Sequence, residues 1–367
     1  MEENNSDIKE VQEIVVTENP LKNFEKEKDF VDVLKMFAPG TSLRTGLDDL
    51  LRARMGALIV FDNGNVLDLA DGGFKINSKF SAQKLVELCK MDGAIILSND
   101  GKRILFGNTL LFPGVDIPTR ETGTRHKAAE RTAKKAKTIV IAVSERKNKI
   151  SLYYSDMKYE LDHSSEILRR AAETLQILEK QRETFNDLMS NFNILEINGL
   201  VTIEDVSNVL QRLEIIKRIS EIVKRYLIEL GKEGMIVSMR LKELTGNLGK
   251  EEEILLKDYF GNEWNNKANT LDKFNFDFLL ESNNISRMLF EELHDESVSP
   301  SGLRILGRTN LLERYTTALI SKFKTLDRTL AADNDELLEI FGSEEMVEFF
   351  NKEINSLKEK IMVGKKI

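Results

Sequence analysis

The chain has 367 residues, of which 41% are hydrophobic, so it is long enough to bury two or three separate cores. Its formal net charge of -8 argues against a general affinity for polyanions, so any phosphate binding has to be local. The single cysteine, Cys89, excludes an internal disulfide and a metal site of several cysteines, and it favours a small buried apolar role. No apolar run reaches the length of a membrane span and the N-terminal end is acidic and polar, so we expect a cytoplasmic protein that binds no membrane.

The first 27 residues are rich in Glu, Asn and Lys, which predicts a flexible acidic extension. A helix is predicted at 30–38, where Pro39 and Gly40 end it. From residue 41 to about 154 the pattern alternates between strands and helices, which predicts a mixed sheet covered by helices. The predicted strands are 57–61, 94–98, 103–106, 138–143 and 150–154, and the predicted helices are 47–54, 81–90 and 126–137.

Two short pieces of this α/β region carry residues suited to phosphate chemistry. Asp92 opens the predicted strand at 94–98, where a carboxylate can hold a divalent metal or accept a proton from a hydroxyl. Gly123 enters a predicted helix whose first turn carries Arg125, His126 and Lys127. A helix start offers unpaired N–H groups and a positive dipole end, to which the basic side chains add full charges.

Each piece also has an ordinary structural interpretation. An Asp-Gly pair before a strand is commonly only a turn, and a basic helix start is more often a solvated or DNA-facing surface. His126, taken without its neighbours, is best read as a residue that hydrogen-bonds locally at a helix start. Spacing alone therefore leaves a nucleotide site as one of several possibilities.

Four segments together carry a family resemblance: 54–60, 71–74, 91–97 and 121–131. They resemble the diadenylate cyclase family, and within it the DNA-integrity scanning proteins. That family is identified by an Asp-Gly-Ala motif, found here as Asp92-Gly93-Ala94, and by an Arg-His-Arg motif, found here as Arg125-His126-Lys127. Lys127 keeps the positive charge but lacks the bidentate fork of arginine, so it predicts a weaker phosphate grip.

The resemblance implies that two ATP molecules condense into cyclic di-AMP and two pyrophosphates across two facing copies of the domain, with Mg²⁺ or Mn²⁺ as cofactor. It assigns the metal and the ribose 3′-hydroxyl to Asp92, with Gly93 and Ala94 as close backbone. It assigns adenine recognition to the backbone of Leu111 and makes Asp92, Arg125 and His126 the catalytic residues. The triphosphate would be held by a polar and basic set consisting of Thr124, Arg125, His126, Lys127 and Ser144. A homo-octamer is the implied assembly.

Beyond residue 157 apolar residues recur at helical spacing, in one series over 158–195 and another over 206–230, with shorter helices at 235–244 and 251–259. This predicts an all-α spine without a catalytic signature, which the resemblance treats as a linker that helps to assemble the oligomer. His163 and His294 have no metal-ligand spacing and are interpreted as surface or packing residues.

From residue 298 the chain resembles the family's helix-hairpin-helix DNA-binding domain, but each hairpin keeps only one glycine, at 307 and 342. Around the first hairpin lie basic residues, of which Arg304, Arg308 and Arg314 are the candidate DNA contacts. The second is flanked by acids that repel phosphate. We therefore expect the helical fold of this domain to persist with weak, salt-dependent binding to branched or damaged DNA.

The predicted organisation is thus an extension (1–27), a cyclase domain (28–156), a helical linker (157–297) and a degenerate helix-hairpin-helix domain (298–367). A non-catalytic nucleotide-binding or DNA-binding scaffold is the alternative function. The presence of both Asp92 and the basic helix start favours the enzyme, because a degenerate enzyme is expected to have lost one of them.

Overall fold

The structure is a computed structural model that describes residues 27–290 and 296–364. These residues divide into two compact units. The sheet unit comprises the described residues of 23–172 together with 225–238, and the helical unit comprises those of 173–224 and 239–367. The predicted acidic extension and His294 lie outside the described residues.

The sheet unit begins with two helices, α1 (Glu27–Met36) and α2 (Ser42–Arg52), which precede a mixed sheet. Its described strands are β1 (Ala57–Asp62), β2 (Ala70–Asp71), β3 (Phe74–Lys79), β4 (Ala94–Ser98), β5 (Arg103–Leu111), β6 (Ile139–Ser144), β7 (Lys149–Tyr154) and β8 (Met157–Leu161). Helix α3 (Ala82–Leu88) lies between β3 and β4, and helix α4 (Thr124–Ala136) lies between β5 and β6.

The sheet runs in the order β2-β5-β4-β1-β6-β7-β8, and β3 pairs with β5 beside this path. Only β1 and β4 pair in parallel among the described strands, and the remaining pairs are antiparallel. The predicted mixed sheet with covering helices is therefore confirmed.

The central strands are apolar on both faces because helices cover them on both sides. Strand β1 is buried along Ala57–Phe61. On one face, the alanines of α4 pack against Val60, Ile96 and Val140, and their small side chains let the helix approach the sheet closely. On the other, the Phe37 ring meets the Phe61 ring edge-on, with centroids 5.9 Å apart.

Several strands differ from the sequence-based prediction. Strand β8 lies where the sequence predicts the start of the helical spine at 158, so the sheet extends past residue 156. Strand β5 reaches Leu111 instead of stopping at 106. Strands β2 and β3 were not predicted, because their side chains are mostly exposed and lack a continuous apolar run.

Two long helices follow the sheet, α5 (Ser164–Ile197) and α6 (Ile203–Leu230), as the predicted spine requires. The remaining described helices are α7 (Met235–Thr245), α8 (Leu248–Phe260), α9 (Trp264–Lys273), α10 (Phe276–Leu279), α11 (Ser282–Leu289), α12 (Leu303–Leu306), α13 (Glu313–Phe323), α14 (Leu326–Leu330), α15 (Asn334–Phe341) and α16 (Glu344–Met362). Within the described part of the chain, none of these helices is apolar enough over a sufficient length to traverse a bilayer.

The last helices share a core of their own, which includes Leu319, Leu337 and Phe350. The second predicted hairpin is formed by α15, Gly342 in the left-handed region (φ 73°), and α16, whose N-cap is Ser343. The all-α C-terminal region is therefore confirmed.

Candidate functional site

The strand register brings the predicted site residues to one edge of the sheet. Strand β1 runs parallel to β4 with Leu58 beside Ala94, and antiparallel to β6 with Ala57 beside Val143. The starts of β1 and β4 and the end of β6 therefore share an edge, which we call the rim. Asp92 and Gly93 precede β4 there, and Ser144 ends β6 at the same edge.

The side chain of Arg125 reaches this rim from the start of α4. Its guanidinium lies directly against Gly56, the residue before β1. A Cβ atom built on Gly56 would lie 2.1 Å from Nη1 and 2.7 Å from Cζ of Arg125. Only a glycine leaves room for the guanidinium in this position, and the contact fixes the cationic helix start beside the strand that neighbours Asp92.

The charges at the rim are not satisfied by the protein itself. Asp92 and Arg125 are exposed and Lys127 is half-buried. Within the described residues, none of the three makes a hydrogen bond or ion pair through its side chain. Unpaired charges of opposite sign that share one edge are available to bind a polar ligand. The cations can bind phosphate groups, and Asp92 can bind a metal ion or a hydroxyl.

The start of α4 is open in the same way. Its N-cap, Gly123, has extended backbone (φ -80°, ψ 142°), and no side chain of the described residues caps the first turn, which also contains no acid. Thr124 is exposed and His126 is half-buried in that turn. The N–H groups of the turn are therefore left for an anion, as the sequence predicts.

Gly93 is required by the close approach of β5. Its φ is +94°, and a Cβ there would lie 2.8 Å from the backbone carbon of Asn108 and 2.9 Å from the nitrogen of Thr109. Ala94 is buried and pairs with Thr109. The close approach of β5 therefore requires a glycine at position 93 and a small residue at position 94, whichever ligand binds at the rim.

Leu111 lies at the end of β5, opposite Ala70 of β2. The next residue, Phe112, donates its backbone N–H to the carbonyl of Leu69 at 2.8 Å. Because backbone groups alternate sides along an antiparallel strand, the N–H and C=O of Leu111 point away from β2. These two groups point to the side occupied by β4. Strand β4 begins at Ala94, which pairs with Thr109, so it does not reach Leu111. The N–H and C=O of Leu111 are therefore available to hydrogen-bond the edge of a planar base.

His126 is surrounded by a small polar network. The hydroxyl of Tyr153 donates to Oε1 of Glu121 at 2.9 Å, and Nζ of Lys158 lies 2.7 Å from the same oxygen. The rings of His126 and Tyr153 meet edge-on with centroids 6.4 Å apart. Burial lowers the pKa of His126, and the nearby cations Lys158, Lys147 and Arg125 lower it further, while the Glu121 carboxylate opposes them.

Glu121 itself has a pKa below its ordinary value. Burial alone would raise this pKa, but the hydrogen bonds from Lys158 and Tyr153 stabilise the ionised form and outweigh it. Sequence reasoning did not single out Tyr153 or Lys158, because nothing in their local sequence reveals that both meet Glu121.

A second set of contacts missed by the sequence holds the loop between β5 and α4. Arg131 donates from Nε to the carbonyl of Ile117 at 2.8 Å and from Nη2 to that of Val115 at 3.2 Å. Glu130 accepts hydrogen bonds from the Thr119 hydroxyl and the Arg120 N–H. This loop separates Leu111 from the helix start, so these contacts fix the spacing between those two parts of the rim.

Cys89 ends α3 and is half-buried. Burial raises the pKa of its thiol to about 12, although Arg125 opposes the rise, so the thiol stays protonated and inert near neutral pH. In the described residues no group of three or more His, Cys, Asp or Glu could hold a metal. A site with one carboxylate, Asp92, still suits Mg²⁺ or Mn²⁺, which keep several waters and bind substrate phosphates beside one or two carboxylates.

The predicted DNA contacts in the helical unit need one correction. Arg304 is only 6% exposed and donates to the Asn193 side chain at 2.6 Å and to Glu196, so it cannot reach DNA. Burial raises the pKa of Glu196, and Arg304 opposes this by stabilising the carboxylate. Arg308 and Arg314 are exposed.

Comparison with known proteins identifies the family. Residues 44–157 match the family model described as DisA bacterial checkpoint controller nucleotide-binding, and residues 161–295 match the one described as DisA bacterial checkpoint controller linker region. The DNA integrity scanning protein DisA of Clostridium acetobutylicum is 39% identical over 350 residues, which cover 93% of this chain and 98% of that protein. The chain belongs to the DisA family.

A second DisA relative gives the same result. The DNA integrity scanning protein DisA of Clostridioides difficile is 41% identical over 335 residues, which cover 88% of this chain and 93% of that protein. A crystal structure of DacA from Staphylococcus aureus is 23% identical over 40% of this chain and 95% of that one, with a TM-score of 0.29. The DisA nucleotide-binding match contains Gly56, the motif residues at the rim, Leu111 and Ser144, so the whole rim lies in the part of the chain assigned to nucleotide binding.

Proposed function

We propose that the protein is a diadenylate cyclase, which condenses two ATP molecules into cyclic di-AMP and releases two pyrophosphates. The observation that carries the proposal is the strand register at the rim. It brings Asp92, before β4, to the same edge as Gly56, against which the Arg125 guanidinium lies. An unpaired carboxylate and an unpaired cationic helix start at one edge suit a nucleotide triphosphate, and the DisA nucleotide-binding match supports this choice of ligand.

In the proposed reaction, each ribose 3′-hydroxyl attacks the α-phosphate of the other ATP. One P–O bond forms and one breaks at each phosphorus, pyrophosphate departs, and one proton per hydroxyl is lost. Asp92 accepts or redirects that proton, and Arg125, Lys127 and the N–H groups of α4 stabilise the charge that moves onto pyrophosphate. Thr124, His126 and Ser144 complete the triphosphate site, and the Leu111 backbone reads adenine.

Asp92 would also hold the Mg²⁺ or Mn²⁺ ion. When bound, such an ion stabilises negative charge on the phosphates and favours ionisation of the attacking hydroxyl. One protein carboxylate, that of Asp92, is consistent with an ion whose other ligands come from ATP and water.

The reaction requires two facing copies, because the product has two-fold symmetry and each rim offers one set of charges. Large apolar side chains near the rim support such a face. Leu110 is 57% exposed, Phe112 60% and Val115 88%, so three apolar side chains within six residues are available to a second copy. We extend the proposal to a larger assembly such as the homo-octamer implied by the family.

We propose that DNA binding is weak, as the sequence predicts. Its relatives are named for DNA integrity scanning, yet three features oppose phosphate binding in the helical unit. Arg304 is buried, Glu344 and Glu345 occupy the first turn of α16, and Glu353 accepts hydrogen bonds from the backbone and side chain of Asn310 in the first hairpin. A fluorescent branched duplex titrated at two salt concentrations tests this. Tight binding that survives moderate salt would contradict it.

The cyclase is tested by incubating the purified protein with ATP and Mn²⁺ and separating the products by chromatography. Cyclic di-AMP and pyrophosphate in a 1:2 ratio are expected. If ATP binds at the rim of an oligomeric sample and no cyclic di-AMP forms, the protein is a non-catalytic nucleotide-binding scaffold. The matched control is Asp92→Asn, which preserves shape and removes the charge.

A further inference from the structure

The residue that needs explanation is Glu121, which sequence reasoning places in the motif region without a role. It lies two residues before Gly123, the uncapped start of α4. Its carboxylate is directed at the sheet, where it receives the Tyr153 hydroxyl from β7 and the Lys158 ammonium from β8. The Glu121 side chain is only 15% exposed and Tyr153 is buried, so the bond between these two forms largely out of water, whereas the Lys158 side chain is 41% exposed.

This arrangement joins three elements at one carboxylate. Gly123 has no side chain with which to anchor the helix start, so the entry of α4 depends on its neighbours for a fixed position. Glu121 supplies that anchor, because its two partners lie on adjacent strands that pair along their whole length. Tyr153, which is 1% exposed, cannot move without disturbing the core beneath α4.

The same network determines the charge environment of His126. Three cations act on the imidazole: Arg125 on its own helix, Lys147 in the turn between β6 and β7, and Lys158 on β8. Glu121 is the anion that opposes them, and the Tyr153 ring packs edge-on against the imidazole. Loss of Glu121 would remove this anion and leave the three cations unopposed by it, whereas loss of Lys158 would remove one of the three cations and leave the Glu121 carboxylate without its ammonium partner.

We propose that Glu121, held by Tyr153 and Lys158, is a positioning residue that sets the orientation and the charge of His126 at the phosphate-binding start of α4. The relevance of this to turnover rests on the proposed function. The positioning itself does not, because it concerns contacts within one copy of the sheet unit. Lys158, outside the matched nucleotide-binding region, thereby becomes part of the site.

The test is an NMR titration of His126 in the full-length protein. The chain has three histidines, so the imidazole signals can be resolved, and His126→Gln assigns the relevant one. Glu121→Gln keeps the size of the side chain and removes its charge, and it is expected to move the His126 midpoint down by about 0.5 pH unit or more. Lys158→Met removes a cation and frees the carboxylate, so it is expected to move the midpoint up by about as much.

Glu130→Gln is the matched control. This glutamate is also half-buried on α4 and hydrogen-bonded, but its partners are Thr119, Arg120 and Lys134, and it is not among the main charges that shift the pKa of His126. In this variant the titration midpoint of His126 is expected to shift by less than about 0.2 pH unit. Shifts of opposite sign for Glu121→Gln and Lys158→Met support the proposal. Equal shifts, shifts of the same sign, or none in either variant would overturn it, since general loosening of the fold cannot produce opposite signs.

The turnover readout is the pH profile of kcat, whose limb should move in the same direction as the His126 midpoint in each variant. If the NMR shifts occur as expected but neither the wild type nor any variant forms cyclic di-AMP, the proposed function fails while the positioning stands. If the wild type turns over and the His126 midpoint ignores both variants, the positioning fails alone.

Discussion

Gly56→Ala is the sharpest test of the rim, because it changes one atom that no ligand is expected to touch. The new Cβ would lie 2.1 Å from Nη1, 2.7 Å from Cζ and 2.9 Å from Nη2 of Arg125. Van der Waals contact needs about 3.5 Å, so the guanidinium must move by more than about 1 Å. The backbone of Gly56 is not in the left-handed region, and the atoms that must yield belong to the end of an exposed side chain. We therefore expect the protein to fold with nearly unchanged stability.

Displacement of a positioned cation by about 1 Å is expected to lower kcat about 10- to 100-fold. The assay is steady-state formation of cyclic di-AMP from ATP, with thermal unfolding as the check on folding. Gly249→Ala is the control, because it makes the same chemical change where no atom lies within 4 Å of the new Cβ.

A double-mutant cycle shows whether the loss acts through Arg125. If it does, Gly56→Ala combined with Arg125→Ala is no slower than Arg125→Ala alone, because the displaced group is already absent. Multiplicative losses, or wild-type turnover in Gly56→Ala, would refute the reasoning that this contact places Arg125 for catalysis.

The Asp92→Asn variant is expected to fold and to bind ATP, as measured by calorimetry, but to form no cyclic di-AMP, as measured by chromatography. Turnover at the wild-type rate would contradict the proposed role of Asp92. Lys127→Arg is expected to leave kcat unchanged or higher, because the guanidinium fork grips phosphate better, and a large loss would give the lysine a role of its own. Arg304→Met leaves the Glu196 carboxylate buried without its cation, and urea unfolding should report a loss of about 3–5 kcal/mol; a loss below about 1 kcal/mol would contradict the buried pair. Hydrogen bonds from Lys134 and Thr119 overcome burial and hold the pKa of Glu130 below its ordinary value, so its contribution to stability is present above that value and is lost as the pH falls through the folded-state pKa. Glu130→Gln should therefore flatten the acid limb of Tm against pH, and an unchanged limb would argue against these bonds.

The central strands could be predicted because burial on both faces demands continuous apolar runs, and 57–61 and 139–143 are such runs. Strands β2 and β3 could not, since both are largely exposed and are held by pairing to β5. Strand β8 was mistaken for the beginning of a helix because its few apolar residues match either period over so short a length.

The composition of the site was predictable from its motifs, but its geometry was not. The motif spacing indicates which residues belong together, whereas the contact between Arg125 and Gly56 depends on how α4 returns across the sheet. Arg304 illustrates the opposite error. It reads as a surface base beside a glycine, and its acidic partner Glu196 lies 108 residues earlier in the chain, too far for any local pattern to reveal.

Arg125 and Arg304 have similar sequence contexts, since each lies two residues after the glycine, Gly123 or Gly302, that begins a helix. At Gly302 the protein supplies its own anion: the carboxylate of Asp258 accepts the N–H groups of Gly302, Leu303 and Arg304 at 2.7–2.9 Å. At Gly123 no described side chain caps the helix. A helix start whose N–H groups are already bonded to a buried carboxylate has no capacity left for phosphate, whereas an uncapped one beside an unpaired arginine retains it. Whether the chain itself provides the counter-charge therefore separates a structural helix start from one suited to a ligand.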